Sequence, residues 1–132
     1  MKLRQFLSTL ACSSLLLAVQ CPALAAAPFV TLAEARTALE QSSMVVVDIR
    51  EPIEHGTGVA KGALLMPISQ IGKRIGELPA AKTKPFLVIC NTQNRSSRIV
   101  EQLHAAGYTN ASYVKGGMSQ WAAQGWPLVK PL

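Results

Sequence analysis

Phe86-Leu87-Val88-Ile89-Cys90-Asn91-Thr92-Gln93-Asn94-Arg95-Ser96-Ser97-Arg98 is the stretch that decides how this chain is read. Its first four residues form an apolar, β-prone run, which predicts a buried strand. From Ser96 to Ala106 the pattern is that of an amphipathic helix, and Gly107 closes it. A short polar loop joins the two, with Cys90 at its start and Arg95 at its end. A loop running from a strand into a helix start turns its N–H groups toward one point, which suits an anion. The helix N-terminus and Arg95 both favour the thiolate of a cysteine placed there. We therefore expect a nucleophile, Cys90, in an anion cradle. The alternative is an inert cysteine in the core, since cysteine is often buried.

The neighbouring segments place this loop. Met44-Val45-Val46-Val47-Asp48 is a continuous β-branched run, as expected of a central parallel strand, and Pro52 ends it or starts a short helical turn. Thr31-Leu32-Ala33-Glu34 reads as a capping box opening a helix to about Glu40. Gly56 to Ala63 reads as a turn, without phosphate-loop spacing. Leu64 to Pro67 reads as a short edge strand. Ile68, Ile71, Ile75 and Leu78 have helical spacing, weakened by Gly72 and Gly76. Ala111 to Val114 predicts a further strand, and Met118 to Gln124 a last helix stopped by Gly125. Ala27 to Val30 reads only as a lead-in. Strands alternating with helices imply an α/β fold, a small parallel sheet flanked by helices on both faces. Ligands of such sheets bind outside the carboxyl ends of the strands, the edge where Asp48 and Cys90 both fall.

The amino terminus reads differently. A basic start, Met1-Lys2-Leu3-Arg4, precedes a run from Phe6 to Val19 that is nearly all apolar or small, and Ala23-Leu24-Ala25 has a small-x-small cleavage pattern. We read residues 1–25 as a secretory signal and 26–132 as one domain, exported to the periplasm or secreted. An uncut membrane anchor is the alternative, although the run is shorter than a full span of about 20 residues. Cleavage removes Cys12 and Cys21 and leaves Cys90 as the one thiol, unusual where exported cysteines mostly pair. It also lowers the net charge from the +6 of the full chain by removing Lys2 and Arg4. The remaining positive charges are scattered, which argues against nucleic acid, and the modest positive balance suits either a small anionic substrate or plain surface solubility. His55 and His104 read as surface residues, no metal-ligand spacing is present, and Trp121 and Trp126 read as packing.

Three stretches then resemble one family. Val47-Asp48-Ile49-Arg50-Glu51-Pro52-Ile53-Glu54 resembles a signature with Asp-x-Arg at a strand end. Gly58-Val59-Ala60-Lys61-Gly62-Ala63 resembles the glycine turn that follows it. Val114-Lys115-Gly116-Gly117-Met118-Ser119-Gln120-Trp121 with Gly125-Trp126-Pro127 resembles a closing motif. With Cys90-x-x-x-x-Arg95-Ser96 between them, residues 31–129 are similar to the rhodanese domain of single-domain thiosulfate sulfurtransferases. Three positions depart from that pattern: Gln93 stands where the loop usually has glycine, and Val59 and Lys61 replace a His and a Pro. At Gln93 a strained or reshaped cradle is expected.

The resemblance implies that a sulfane sulfur passes from thiosulfate, or a related donor, to a thiol or cyanide acceptor through a Cys90 persulfide. Asn91, Thr92, Gln93, Asn94, Arg95 and Ser96 would form the binding cradle, with Arg95 steering the donor or standing as a solvated charge. Ser96 is expected as the helix N-cap, with a substrate hydrogen bond as its other role. Asp48 and Arg50 would support the loop, as a structural ion pair or by direct contact. No cofactor and no metal is expected, nor stable membrane association after cleavage, and the chain is expected to be a monomer. Two rivals remain. One is a non-catalytic rhodanese-like module that carries sulfur or binds a partner. The other is a cysteine phosphatase or arsenate reductase, whose Cys-x5-Arg loop is one residue longer than this one.

Overall fold

The computed structural model describes residues 25–79 and 84–132, so the segment read as a secretory signal lies outside the described residues except for Ala25. Among the described residues, five strands form one sheet in the order β1-β5-β4-β2-β3, and every pairing in it is parallel. The strands are β1 (Phe29–Val30), β2 (Val45–Asp48), β3 (Leu64–Leu65), β4 (Phe86–Ile89) and β5 (Ala111–Val114). The helices are α1 (Leu32–Glu40), α2 (Pro52–His55), α3 (Ile71–Arg74), α4 (Asn94–Ala105) and α5 (Gly117–Ala123).

The two faces of β4 explain why its sequence is apolar without alternation. Phe86, Val88 and Cys90 face a core that includes Val100 and Leu103 of α4 and Met66. Leu87 and Ile89 face a second core, with Ala35 and Ala38 of α1 and Met118 and Trp121 of α5. Side chains alternate between faces along a strand, so covering both faces requires apolar residues at every position. Trp121 is buried, its ring meets Trp126 edge-on at 5.0 Å, and its indole N–H donates to the Pro127 carbonyl. Both tryptophans thus pack, as expected.

The capping box at α1 is formed: Thr31 Oγ1 accepts the Glu34 N–H, and a Glu34 carboxylate oxygen accepts the Thr31 N–H at 2.6 Å. Two segments differ from expectation. Phe29–Val30 is an edge strand paired with Tyr113–Val114, where the sequence suggested a lead-in. Two residues carry too little periodicity to announce a strand, and the partner that makes them one is remote in the chain. Ile68 to Glu77 is a single α-turn, α3, between two 3-10 turns: Ile68, Ile71 and Ile75 pack on the core, but Gly72 and Gly76 lower helix propensity on the open side.

Candidate functional site

The parallel register sets Asp48 beside Ile89, so the ends of β2 and β4 share one edge and Cys90 leaves the sheet next to Asp48. Three residues, Asn91, Thr92 and Gln93, then lead into α4. The helix begins at Asn94, earlier than the sequence pattern suggests, and its N-cap is Gln93. This corrects the expectation for Ser96, which is not the N-cap. Ser96 lies in the first turn of α4, fully buried, and its hydroxyl donates to the Gln93 carbonyl at 3.1 Å. Its backbone N–H points to Cys90 Sγ at 3.4 Å, and its Oγ lies 3.3 Å from the same sulfur.

Cys90 is 1% exposed. It lies under its loop and packs with the α4-side core, yet Ser96 gives its sulfur two polar neighbours. Behind the loop, α5 holds the backbone. The Cys90 carbonyl accepts the Met118 N–H and the Asn91 carbonyl accepts the Ser119 N–H, both at 2.8 Å. A trans peptide sets its C=O and N–H in opposite directions, so the Asn91 and Thr92 N–H groups face away from α5. Gly117 makes this docking possible. It has φ +61°, and a Cβ there would lie 2.5 Å from the Cys90 carbonyl oxygen and 2.6 Å from the Asn91 carbonyl carbon. The first N–H groups of α4 also have no acceptor within the helix. The loop therefore combines outward N–H groups, a helix N-terminus and a sulfur at its base, an arrangement suited to an anion.

Gln93 has φ −164° and ψ −8°, outside the left-handed region that demands glycine, so the missing glycine imposes no left-handed backbone here. Its side-chain Oε1 accepts the Gly116 N–H at 2.9 Å and ties the loop to the turn before α5. Asn91 and Thr92 are exposed on the loop, and Asn94 is exposed at the start of α4.

Arg95 is neither free nor merely solvated. Its two terminal nitrogens grip the Glu54 carboxylate at 2.7 and 2.6 Å, and both side chains are about one-third exposed. Glu54 Oε2 also accepts the Glu51 N–H. The guanidinium holds the Glu54 carboxyl down to about 2, and the carboxylate in turn raises Arg95 above its ordinary value. Glu54 lies in the segment that carries Asp-x-Arg, but nothing in sequence spacing marks it as the partner of an arginine so distant.

Asp48 and Arg50 form a buried ion pair, 0% and 3% exposed, closed by contacts of 2.7 to 3.2 Å. Arg50 also donates to the Gly58 carbonyl at 2.9 Å, pinning the turn that follows α2. His55 corrects a second expectation. It is buried, not on the surface, with Nε2 3.4 Å from Asp48 Oδ1 but not aligned as a hydrogen bond. The turn from α2 back toward the sheet carries it inward, which no periodicity over four residues could reveal. His104 is half-buried rather than on the surface, its Nε2 2.8 Å from the Ala111 carbonyl oxygen. Among the described residues, no group of three or more His, Cys, Asp or Glu side chains is disposed to hold a metal ion.

A family model described as a Rhodanese-like domain matches residues 31–124. A protein of Allochromatium vinosum called a sulfurtransferase is 32% identical over 92 residues, covering 70% of this chain and 84% of that protein. A human thiosulfate:glutathione sulfurtransferase is 28% identical over 110 residues, 74% of this chain and 96% of its own. The chain spans half the length of an uncharacterized Synechocystis protein to which it is 32% identical over 91 residues. Among solved structures, a rhodanese-related protein of Thermoplasma volcanium superposes with a TM-score of 0.68 at 30% identity, covering 79% of this chain and 99% of that one.

Proposed function

Because the chain belongs to the rhodanese-like family, we propose that it is a sulfurtransferase that moves a sulfane sulfur from thiosulfate, or a related donor, to a thiol or cyanide acceptor through a persulfide on Cys90. The supporting observation is the sulfur at the base of an N–H-lined loop, with Ser96 N–H and Oγ beside it.

The reaction has two halves. Cys90 thiolate attacks the outer sulfur of thiosulfate, a new S–S bond forms, and the old S–S bond breaks with sulfite taking its electron pair. This is displacement at sulfur, the chemistry of thiol–disulfide exchange. The acceptor then attacks the outer sulfur of the persulfide and regenerates the thiolate. Both the attacking and the leaving Cys90 are anionic, so outward N–H groups of Asn91 and Thr92 and the start of α4 stabilise charge through the cycle. No general base is required, since no proton is taken from the nucleophile.

Arg95 contributes as a donor-binding charge at the loop's end once its grip on Glu54 is shared with the substrate. Asp48 and Arg50 hold the neighbouring strand end without touching the reactants. We place the reaction in the periplasm or outside the cell, on the signal-like residues 1–25. The second reading is a module that binds sulfur without turnover, and the 1% exposure of Cys90 favours it.

Mass spectrometry after thiosulfate treatment tests the reading. One sulfur atom, about 32 Da, should appear on Cys90 and be removed by cyanide with release of thiocyanate. A persulfide that forms but resists every acceptor supports the carrier reading. No mass gain refutes both.

A further inference from the structure

Gln93 occupies the junction between the reactive loop and the rest of the site, and both ends of the residue are engaged. Its side-chain oxygen accepts the Gly116 N–H at 2.9 Å; only the oxygen of the amide can do so, because the partner is a donor. Its backbone carbonyl accepts the Ser97 N–H at 2.9 Å and the Ser96 hydroxyl at 3.1 Å. Ser96 is in turn the residue whose N–H and Oγ lie against Cys90 Sγ. A continuous path of hydrogen bonds thus runs from the Gly116 turn, through Gln93 and Ser96, to the sulfur.

The turn at its other end cannot shift independently. Gly116 and Gly117 are both left-handed, at φ +91° and +61°, and Gly117 has the loop backbone directly against its α-carbon. Met118 and Ser119 bind the loop carbonyls from the same helix start. These contacts fix Cys90 and Asn91, the first part of the loop. At its last part, where α4 begins, Arg95 ties the loop to Glu54, and the Gln93 side chain ties it to this turn. A glycine at this position could not supply that tie.

Resting on the sulfur-transfer reading, we propose that Gln93 is a positioning residue: its side-chain oxygen clamps the start of α4 to the Gly116 turn and so keeps the Ser96 N–H and hydroxyl against the Cys90 sulfur. The effect falls on the reacting sulfur rather than on donor binding. It also falls on local order rather than global stability, since the clamp joins a half-buried side chain to one N–H group.

The test compares Gln93→Met, which keeps the length but loses the acceptor, with Gln93→Glu, which keeps an acceptor oxygen. Gly116 amide hydrogen exchange, read by NMR, should quicken about tenfold in Gln93→Met, the loss expected for one hydrogen bond, and stay slow in Gln93→Glu. Cys90 alkylation by iodoacetamide, which needs no sulfur donor, should change in Gln93→Met and not in Gln93→Glu. With thiosulfate and cyanide, kcat should fall about tenfold in Gln93→Met while KM stays within about twofold. Gln93→Glu should recover kcat and raise KM through its added negative charge. The proposal is overturned if Gln93→Met leaves Gly116 exchange and Cys90 alkylation as in the wild type. If the wild-type protein transfers no sulfur from thiosulfate, the donor assignment fails, while exchange and alkylation still decide the clamp.

Discussion

Adding one methyl group at Gly117 should both destabilise the protein and disable the reactive loop. A Cβ there would stand 2.5 Å from the Cys90 carbonyl oxygen, and that neighbour is backbone, which cannot rotate away. Ordinary contact requires a retreat of roughly 1 Å. A shift of that size breaks the two 2.8 Å bonds from Met118 and Ser119 to the loop carbonyls, each worth about 1 kcal/mol. The left-handed backbone at φ +61° adds about 1–2 kcal/mol for any residue with a Cβ. Together Gly117→Ala should cost about 3–4 kcal/mol, which lowers the melting temperature of a domain this size by roughly 12–25 °C. Two neighbours calibrate the figure. At Gly116, also left-handed, a Cβ would meet only the flexible Gln120 side chain, so Gly116→Ala should lose about 1–2 kcal/mol. At Gly72, where a Cβ meets nothing within 4 Å, Gly72→Ala should gain about 0.5–1 kcal/mol. Thermal melts by circular dichroism give the order, and thiocyanate formation gives activity. Misplacing the loop by about 1 Å should cost on the order of a hundredfold in rate. A Gly117→Ala protein that melts with the wild type and retains its rate would refute the account of how α5 holds the loop.

Further variants probe other parts of the site. Cys90→Ser should abolish sulfur transfer from thiosulfate to cyanide, and residual turnover in that variant would place the nucleophile elsewhere. Lowering Glu54 from 4.5 to about 2 corresponds to ~3 kcal/mol before solvent screening, and about 1–1.5 kcal/mol after discounting for its exposure. Because the folded value is depressed, that stabilisation is complete above the unfolded value and disappears as pH falls from about 4.5 to about 2. Wild type and Glu54→Gln should therefore differ in urea melts at pH 7 and converge near pH 2. Freeing Arg95 in Glu54→Gln should also lower KM for thiosulfate, whereas an unchanged KM would confine Arg95 to a strut. Asp48→Ala leaves the Arg50 guanidinium buried without its partner and should cost about 3–5 kcal/mol, against a small change at the exposed Glu40.

Much of this architecture could be read directly from residue order. The β-branched run ending at Asp48 and the apolar run ending before Cys90 predict two central parallel strands, and the edge rule brings their ends together. For Asp48 and Arg50 the sequence left a structural ion pair and a direct contact both open, and the fold supplies the ion pair. Other features depend on contacts that only folding creates. Phe29–Val30 becomes a strand by meeting Tyr113–Val114, His55 turns inward at the end of a four-residue helix, and Glu54 meets Arg95 across 41 residues of chain. Ser96 resembles an N-cap in sequence because Ser-Ser precedes an apolar stripe, but the helix accommodates Asn94 and Arg95 in its first turn and draws Ser96 onto the sulfur. The tightness at Gly117 is likewise invisible until α5 docks, since Gly-Gly before a helix reads simply as a turn.

The Ser96 hydroxyl carries a single hydrogen and has two neighbours that could take it, the Gln93 carbonyl and Cys90 sulfur. When the sulfur is an uncharged thiol, its own hydrogen can go to the Ser96 oxygen while Ser96 donates to Gln93. When the sulfur is an anion, serving it requires Ser96 to let Gln93 go. The charged sulfur and the Gln93 carbonyl thus compete for one buried hydrogen, and whichever holds it leaves the other to its remaining partners.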